Sequence, residues 1–367
     1  MSEELLCVGC GIKLQCEDEA KEGYVNPNAF SRSFILCKRC YQLKHYGKFS
    51  ESKELKNTID MLHKSAKKND LVILICDVAL VYTPLIKALK ELNSFTNVIM
   101  VCNRYDLYKD YIKLEKAYSF INKEIKNAKL NIKKVFIVDN NIEEIFDFID
   151  ENSINNNAYL LGLENAGKTT FINNILKEIA HEDKNFLTNS KYPGTTVDLI
   201  KIELDDSHYL IDSPGIHSKG NLLNYVEKNF IKYLSQDNKI KATGFQLNAN
   251  QSLIVSNIIK FDNLDNERGS VVFYGSSMLD ITRCKLEKSK ETFKNIIKDL
   301  KLKSNNVKSI DDLTKYSFNI VGEEKMDIVI EGLGFFSLRK GRYNIYTFKG
   351  VNVFIRKSMI WGKNYVK

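Results

Sequence analysis

Two short runs in this 367-residue chain hold residues whose types and spacing suit nucleotide chemistry. The first is Gly162-Leu163-Glu164-Asn165-Ala166-Gly167-Lys168-Thr169. Gly162 and Gly167 let the backbone curl, with Ala166 between them, so that successive N–H groups point at phosphate oxygens. Lys168 reaches the β and γ phosphates, the Thr169 hydroxyl suits Mg²⁺, and Thr170 completes the set. A helix starting at Thr169 would add its positive N-terminal dipole. The plainer reading of such a run is a strand–turn–helix whose glycines serve only the turn. The second run is Asn103-Arg104-Tyr105-Asp106, which fits the pattern N-[KR]-x-D. A carboxylate at Asp106 accepts from the two donors on the N1 and N2 edge of guanine. Adenine presents an acceptor at N1, and facing it would leave a buried polar group unpaired at a cost of about 1–3 kcal/mol. Asn103 would hold the base edge and the loop, and the planar cation of Arg104 can stack on a ring. Guanine nucleotide, GTP or GDP, is therefore the expected ligand.

Pro193-Gly194-Thr195-Thr196 and Asp212-Ser213-Pro214-Gly215 follow the phosphate loop. Thr195 or Thr196 can lend a hydroxyl to Mg²⁺ and an N–H to the γ phosphate. Asp212 can hold a metal-bound water, and the Gly215 N–H can touch the γ phosphate. Such contacts vanish on hydrolysis, which makes the two loops a switch. The next residue is Ile216, which cannot orient water as a glutamine can. The run 135–139 resembles the strand of a further base-contacting motif, with Asp139-Asn140 at its end.

The elements that must position these residues are legible as apolar runs. Residues 157–161 form a strand-like run before the phosphate loop, and residues 96–102 one before the base motif. Both motifs thus sit at the carboxyl ends of strands, where open α/β sheets bind ligands. Residues 71–76 are wholly apolar and break at Asp77, too short for a bilayer and suited to a buried parallel strand. Strands and helices alternate from Asp70 to about Ile216, which predicts a doubly wound, mostly parallel sheet.

Cys7, Cys10, Cys37 and Cys40 form two C-x2-C knuckles, a spacing that suits a tetrahedral structural Zn²⁺. A disulfide framework is the alternative, and the absence of a signal-like segment argues against it. Cys76 and Cys102 lie inside strand-like runs and read as core thiols. Net charge is +8, and residues 335–367 alone hold eight Lys or Arg, no Asp or Glu, and eight aromatics. Cations and aromatics together suit RNA; a small β-domain with buried aromatics and solvated lysines suits them equally. The expectation is both: aromatics mostly inside, with Arg339, Lys340, Arg342, Arg356 and Lys357 outward on RNA. Three domains follow: a zinc module over 1–50, an α/β domain over 51–236, and a mixed α/β domain over 237–367. No membrane or DNA association is expected, and the compartment would be the cytoplasm, or an organelle stroma or matrix.

The base motif precedes the phosphate loop, the reverse of the usual order. That order resembles a circularly permuted P-loop GTPase. With the runs C-V-G-C-G and C-K-R-C-Y-Q-L-K-H-Y, and G-L-G-F-F-S-L with K-G-V-N-V-F-I-R-K-S near the end, the chain resembles the YqeH family over nearly its whole length. The resemblance implies a GTPase in maturation of the small ribosomal subunit or its precursor, with nucleotide state controlling a C-terminal domain that contacts ribosomal RNA. It also implies that Asn165 helps hold K⁺ in place of an arginine finger, against the plain reading of a loop-stabilising Asn. Departures are Arg104 where Lys is usual, Asp139-Asn140, and Ala79-Leu80-Val81 where Asp-Phe is common. Ile216 leaves open a nucleotide-regulated scaffold with negligible hydrolysis, and a role on another ribosomal particle is a further alternative.

Overall fold

The computed structural model describes residues 5, 13–18, 23–27, 35, 55–163, 165–181, 199–204, 208–213, 215–216, 218–234, 239–265, 268–299 and 307–360. The chain divides into two compact units: Met1–Asp106 with Ile121–His217, and Leu107–Phe120 with Ser218–Lys367. The division after His217 falls before the sequence-based boundary at 236. The physical reason is that Leu222, Phe230 and Leu234 are buried in the hydrophobic core of the second unit.

The first unit runs α1 (Leu55–Ser65), β1 (Leu71–Asp77), α2 (Thr83–Ala88), β2 (Asn97–Asn103), the later part of α3 (Leu114–Ala128), β3 (Lys134–Ile137), α4 (Ile142–Asn152), β4 (Asn157–Gly162), α5 (Lys168–His181), β5 (Ile200–Glu203) and β6 (Tyr209–Asp212). Its sheet has the order β3-β2-β1-β4-β6-β5. Every pairing is parallel except β5 with β6. All seven residues of β1 and of β2 are buried, as strands covered on both faces must be, and their sequences are accordingly apolar runs rather than alternating ones. Strand β1 pairs with both β2 and β4, so the strand order reverses there. The loops after β1, β2 and β4 therefore open at one crevice beyond the carboxyl ends, the ligand-binding position of this architecture. Helix α4 buries Ile145, Phe146 and Ile149, a spacing that puts one apolar stripe on the sheet side.

The second unit adds α6 (Lys228–Leu234), β7 (Ile240–Leu247), β8 (Gln251–Val255), β9 (Ile259–Asn263), β10 (Gly269–Ser276), β11 (Ile281–Lys285), α7 (Ser289–Asp299), β12 (Thr314–Ile320), β13 (Met326–Ile330), β14 (Gly334–Leu338), β15 (Gly341–Thr347) and β16 (Val353–Lys357). They form two five-stranded antiparallel sheets, β16-β13-β14-β10-β7 and β11-β8-β9-β15-β12. Phe336 of the first sheet meets Phe261 of the second at a centroid distance of 4.8 Å, and its neighbour Phe273 in the first sheet at 4.7 Å. Aromatic rings thus fill the space between the sheets. The early segment Leu107–Phe120 contributes Tyr108, stacked near Phe335, and Tyr111, edge-on to Tyr274 at 5.4 Å. The Tyr111 hydroxyl also accepts from the Ala242 N–H at 3.3 Å.

Charge is buried inside these sheets. Lys260 Nζ donates to Asp262 Oδ2 at 2.8 Å, and Ser252 Oγ to Asp262 Oδ1 at 2.6 Å. Arg356, expected to face outward, is 5% exposed. Its Nε lies 3.6 Å from Asp327 Oδ2, and its guanidinium sits over the Phe335 and Phe120 rings. The reason is register: Asp327 on β13 lies directly opposite Arg356 on β16, so a cross-strand carboxylate draws the cation in. Burial pushes the Asp327 carboxyl up while Arg356 pulls it down, and burial is the larger effect.

Candidate functional site

The phosphate-loop residues leave β4 at Gly162 and re-enter regular structure at Lys168, the first residue of α5. Asn165 takes φ +64° and Gly167 φ +84°; these left-handed residues produce the curl that brings loop N–H groups to one side. A Cβ on Gly167 would also meet Asn103 Nδ2 at 2.8 Å, so the glycine is required twice over. Thr169 is half-buried in the first turn of α5, while Asn165 and Thr170 are exposed.

Asn103 ends β2 and is buried. Its Nδ2 donates to Ala166 O at 3.2 Å and to Gly167 O at 3.0 Å. The two runs singled out from sequence are therefore joined side chain to backbone, although Asn103 precedes Gly167 by 64 positions. Asp106 stands exposed in a 3-10 turn, Tyr105–Leu107, just beyond. Arg104 reaches back along the sheet edge. Its Nη1 lies 3.1 Å from Asp77 Oδ2 at the end of β1. Sequence reasoning passed over Asp77; the signal was a carboxylate ending a wholly apolar strand. Beneath it, Cys76 and Cys102 are buried as expected, and burial pushes the Cys76 thiol up to about 12.

Lys168 Nζ forms an ion pair with Asp212 Oδ1 at 2.7 Å and donates to the Ser213 carbonyl. Asp212 Oδ1 is buried and makes no directed hydrogen bond to a described residue. The Asp212 carboxylate and the Thr169 hydroxyl are oxygen donors of the kind that a hard divalent cation such as Mg²⁺ takes. Ile216 is 3% exposed; its N–H donates to Gly162 O at 2.8 Å and it forms a bridge with Leu163. Ile216 thus fastens the second switch run to the phosphate loop by backbone, and its side chain belongs to the core. The Gly215 backbone precedes this bridge, half-buried.

At the end of β3 the Asp139 N–H is taken by Asn141 Oδ1 at 2.9 Å, and Asn140 turns the chain at φ +57°. That N–H is committed within its own loop. Thr195 and Thr196 lie outside the described residues, as do Cys7, Cys10, Cys37, Cys40 and His45, Glu164, Pro214, Trp361 and Tyr365. Among the described residues no helix is long and apolar enough to cross a membrane.

Residues 157–270 match the family described as 50S ribosome-binding GTPase, and residues 268–359 match YqeH-like, C-terminal. The chain thus carries a GTPase domain, which implies GTP and GDP as ligands. The chain is 32% identical to "Uncharacterized protein YqeH" of Bacillus subtilis over 98% of its own length and all of that protein's. It is 23% identical to a "Putative nitric oxide synthase" of Oryza sativa over 75% of this chain and 57% of the rice protein. It is also 32% identical to "GTPase Der" of Aromatoleum aromaticum, over 31% of this chain and 29% of that one.

Proposed function

The chain belongs to the YqeH family, and on that premise we propose that it is a circularly permuted GTPase of ribosome assembly whose target is the small subunit or its precursor. The observation that carries the reading is the pair of hydrogen bonds from Asn103 to Ala166 and Gly167. They join a base motif to a phosphate loop that follows it in sequence. The GTPase family match begins at residue 157 and leaves Asn103–Asp106 outside, which agrees with a permuted order.

Each residue has a role on this reading. Asp106 accepts from the guanine edge, while Asn103 ties the base loop to the phosphate loop. Gly162, Ala166 and Gly167 present backbone N–H groups to the β and γ phosphates. Lys168 would reach those phosphates, Thr169 and Thr196 would hold Mg²⁺, and Asp212 would hold a water on it. When bound, Mg²⁺ neutralises charge on the phosphate oxygens. Thr195 and the Gly215 N–H sense the γ phosphate. The Ile216 side chain cannot orient water, so Asn165, exposed in the phosphate loop, is assigned to K⁺. Hydrolysis should be faster in K⁺ than in Na⁺, and Asn165→Ala should remove that difference; a K⁺ response that survives the change would overturn the assignment.

Cys7, Cys10, Cys37 and Cys40 are assigned to a structural Zn²⁺, which metal analysis of the wild type and of Cys37→Ser would test. Arg339, Lys340, Arg342 and Lys357 are assigned to ribosomal RNA, and the cytoplasm or an organelle stroma is the expected compartment. Lys340, Arg342 and Lys357 pair with Glu323, Asp265 and Glu324. Exposed pairs of this kind are worth about 0–1 kcal/mol, little enough to exchange for phosphates. The buried Ile216 also favours a second reading, a nucleotide-regulated scaffold with negligible hydrolysis.

The test is co-sedimentation of the purified chain with isolated small and large subunits, comparing a non-hydrolysable GTP analogue with GDP in K⁺. Small-subunit retention that depends on nucleotide supports the proposal. Retention on the large subunit moves the target there, and retention indifferent to nucleotide favours the scaffold.

A further inference from the structure

Arg104 has a positive φ of 69°, a conformation that is unfavourable by about 1–2 kcal/mol for a side chain of this kind. Something must hold it there. Its guanidinium Nη1 donates to Asp77 Oδ2 at 3.1 Å, and Asp77 Oδ1 accepts the Ala79 N–H at 2.8 Å. The carboxylate is 1% exposed, the guanidinium 24%. Asp77 and Asn103 are register partners at the ends of adjacent parallel strands, so the anchor stands beside the point where the base motif begins. The left-handed turn at Arg104 reverses the chain between two residues with different jobs. Asn103 stays turned toward the phosphate loop, while Asp106 emerges exposed two residues later.

We infer that Asp77 is the positioning residue of the base-recognition loop: its buried carboxylate anchors Arg104, and the turn so fixed sets Asp106 for the N1 and N2 donors of guanine. The inference rests on the guanine-nucleotide reading above. It also accounts for arginine at position 104. A planar fork reaching back to a carboxylate holds its direction, where a lysine ammonium would be a point charge on a flexible stem.

The test compares GDP with IDP, which lacks the N2 amino group. A correctly set Asp106 prefers GDP. A base loop that has lost its anchor binds both more weakly, and loses more for GDP because the second hydrogen bond depends on direction. Damage that merely lowers the folded fraction weakens both ligands by one factor and leaves their ratio alone. Dissociation constants for GDP and IDP would be measured for the full-length wild type, Asp77→Asn and Arg104→Gly; the glycine removes the anchor and relieves the φ strain together. The expected result is a loss of about tenfold in GDP affinity in both variants, the size of one charge-assisted hydrogen bond, with the GDP-over-IDP ratio falling toward one. Arg104→Lys should fall between wild type and Arg104→Gly. A ratio unchanged in both Asp77→Asn and Arg104→Gly overturns the inference while the guanine reading stands. A wild type that binds neither ligand, or does not prefer GDP, overturns the guanine reading and this inference with it.

Discussion

In the first unit charge sits at the ends of strands; in the second it sits within them. Asp77, Asn103 and Asp212 are the last residues of β1, β2 and β6, at the carboxyl edge of the sheet. Lys260, Asp262, Asp327 and Arg356 lie mid-strand, all at most 5% exposed. The first arrangement sets polar groups around the candidate site: Asp77 and Asn103 hold the loops there, and Asp212 is paired with the phosphate-loop Lys168. The second ties each charge to another inside the sheets, along β9 for Lys260 and Asp262 and across strands for Asp327 and Arg356, where breaking one partner leaves the other stranded. The lesson is that residue type alone does not say whether a charge works on a ligand or on the fold; its position along the strand does.

Removing Arg356 gives the largest effect expected from this contrast. Arg356→Ala strands a buried Asp327 and should cost about 3–5 kcal/mol of stability in a urea transition, with GDP affinity of the folded protein unchanged. A loss below about 1 kcal/mol would put Arg356 back among surface cations. Lys168→Ala should do the reverse: GTP bound about 10–100-fold more weakly, with the urea midpoint held. If instead Lys168→Ala unfolds the chain, the Lys168–Asp212 pair serves the fold and the distinction fails at its strongest point.

A third prediction sharpens the second unit by pH. Burial holds the Asp327 carboxyl above its ordinary 3.8, so the folded chain keeps that proton more tightly than the unfolded one. Stability from this group is present below about pH 4 and is lost as pH rises through the folded value, at no more than about 1.4 kcal/mol per pH unit. Stability of the wild type minus that of Asp327→Asn, followed from pH 3.5 upward, should decline; a difference that rises would reverse the sign. The smallest effect belongs to the surface. Lys340→Ala with Arg342→Ala should change stability by about 1 kcal/mol or less. The same change should lower the salt slope of RNA binding by about 0.7–0.9 for each phosphate contact removed. An unaltered slope would take these cations out of the RNA contact.

The difference between the units also explains what the sequence made readable. A fully buried parallel strand is an unbroken apolar run, so β1, β2 and β4 and the motifs at their ends could be read locally. Phosphate loops are local too, since the eight consecutive residues Gly162 to Thr169 hold the whole motif. Asp77 escaped because its partner lies 27 positions away, and only register brings the two together. Arg356 misled for a related reason. The expectation set Arg356 and Lys357 both outward, although adjacent residues on a strand face opposite sides. The strand lies at a sheet edge with Ile355 40% exposed. The carboxylate that reverses the face is on a neighbouring strand.

The segment Leu107–Phe120 belongs to the second unit although residues of the first flank it on both sides. Neither unit is therefore a single uninterrupted length of chain. During synthesis the strip bearing Tyr108, Tyr111 and Ile112 leaves the ribosome before any strand it will pack against exists, and the whole of 121–217 is made in between. At translation speeds of about 5–20 residues per second those rings spend seconds without a sheet to cover them. A nascent chain stalled in that interval should present them to a chaperone, and one released at full length should not.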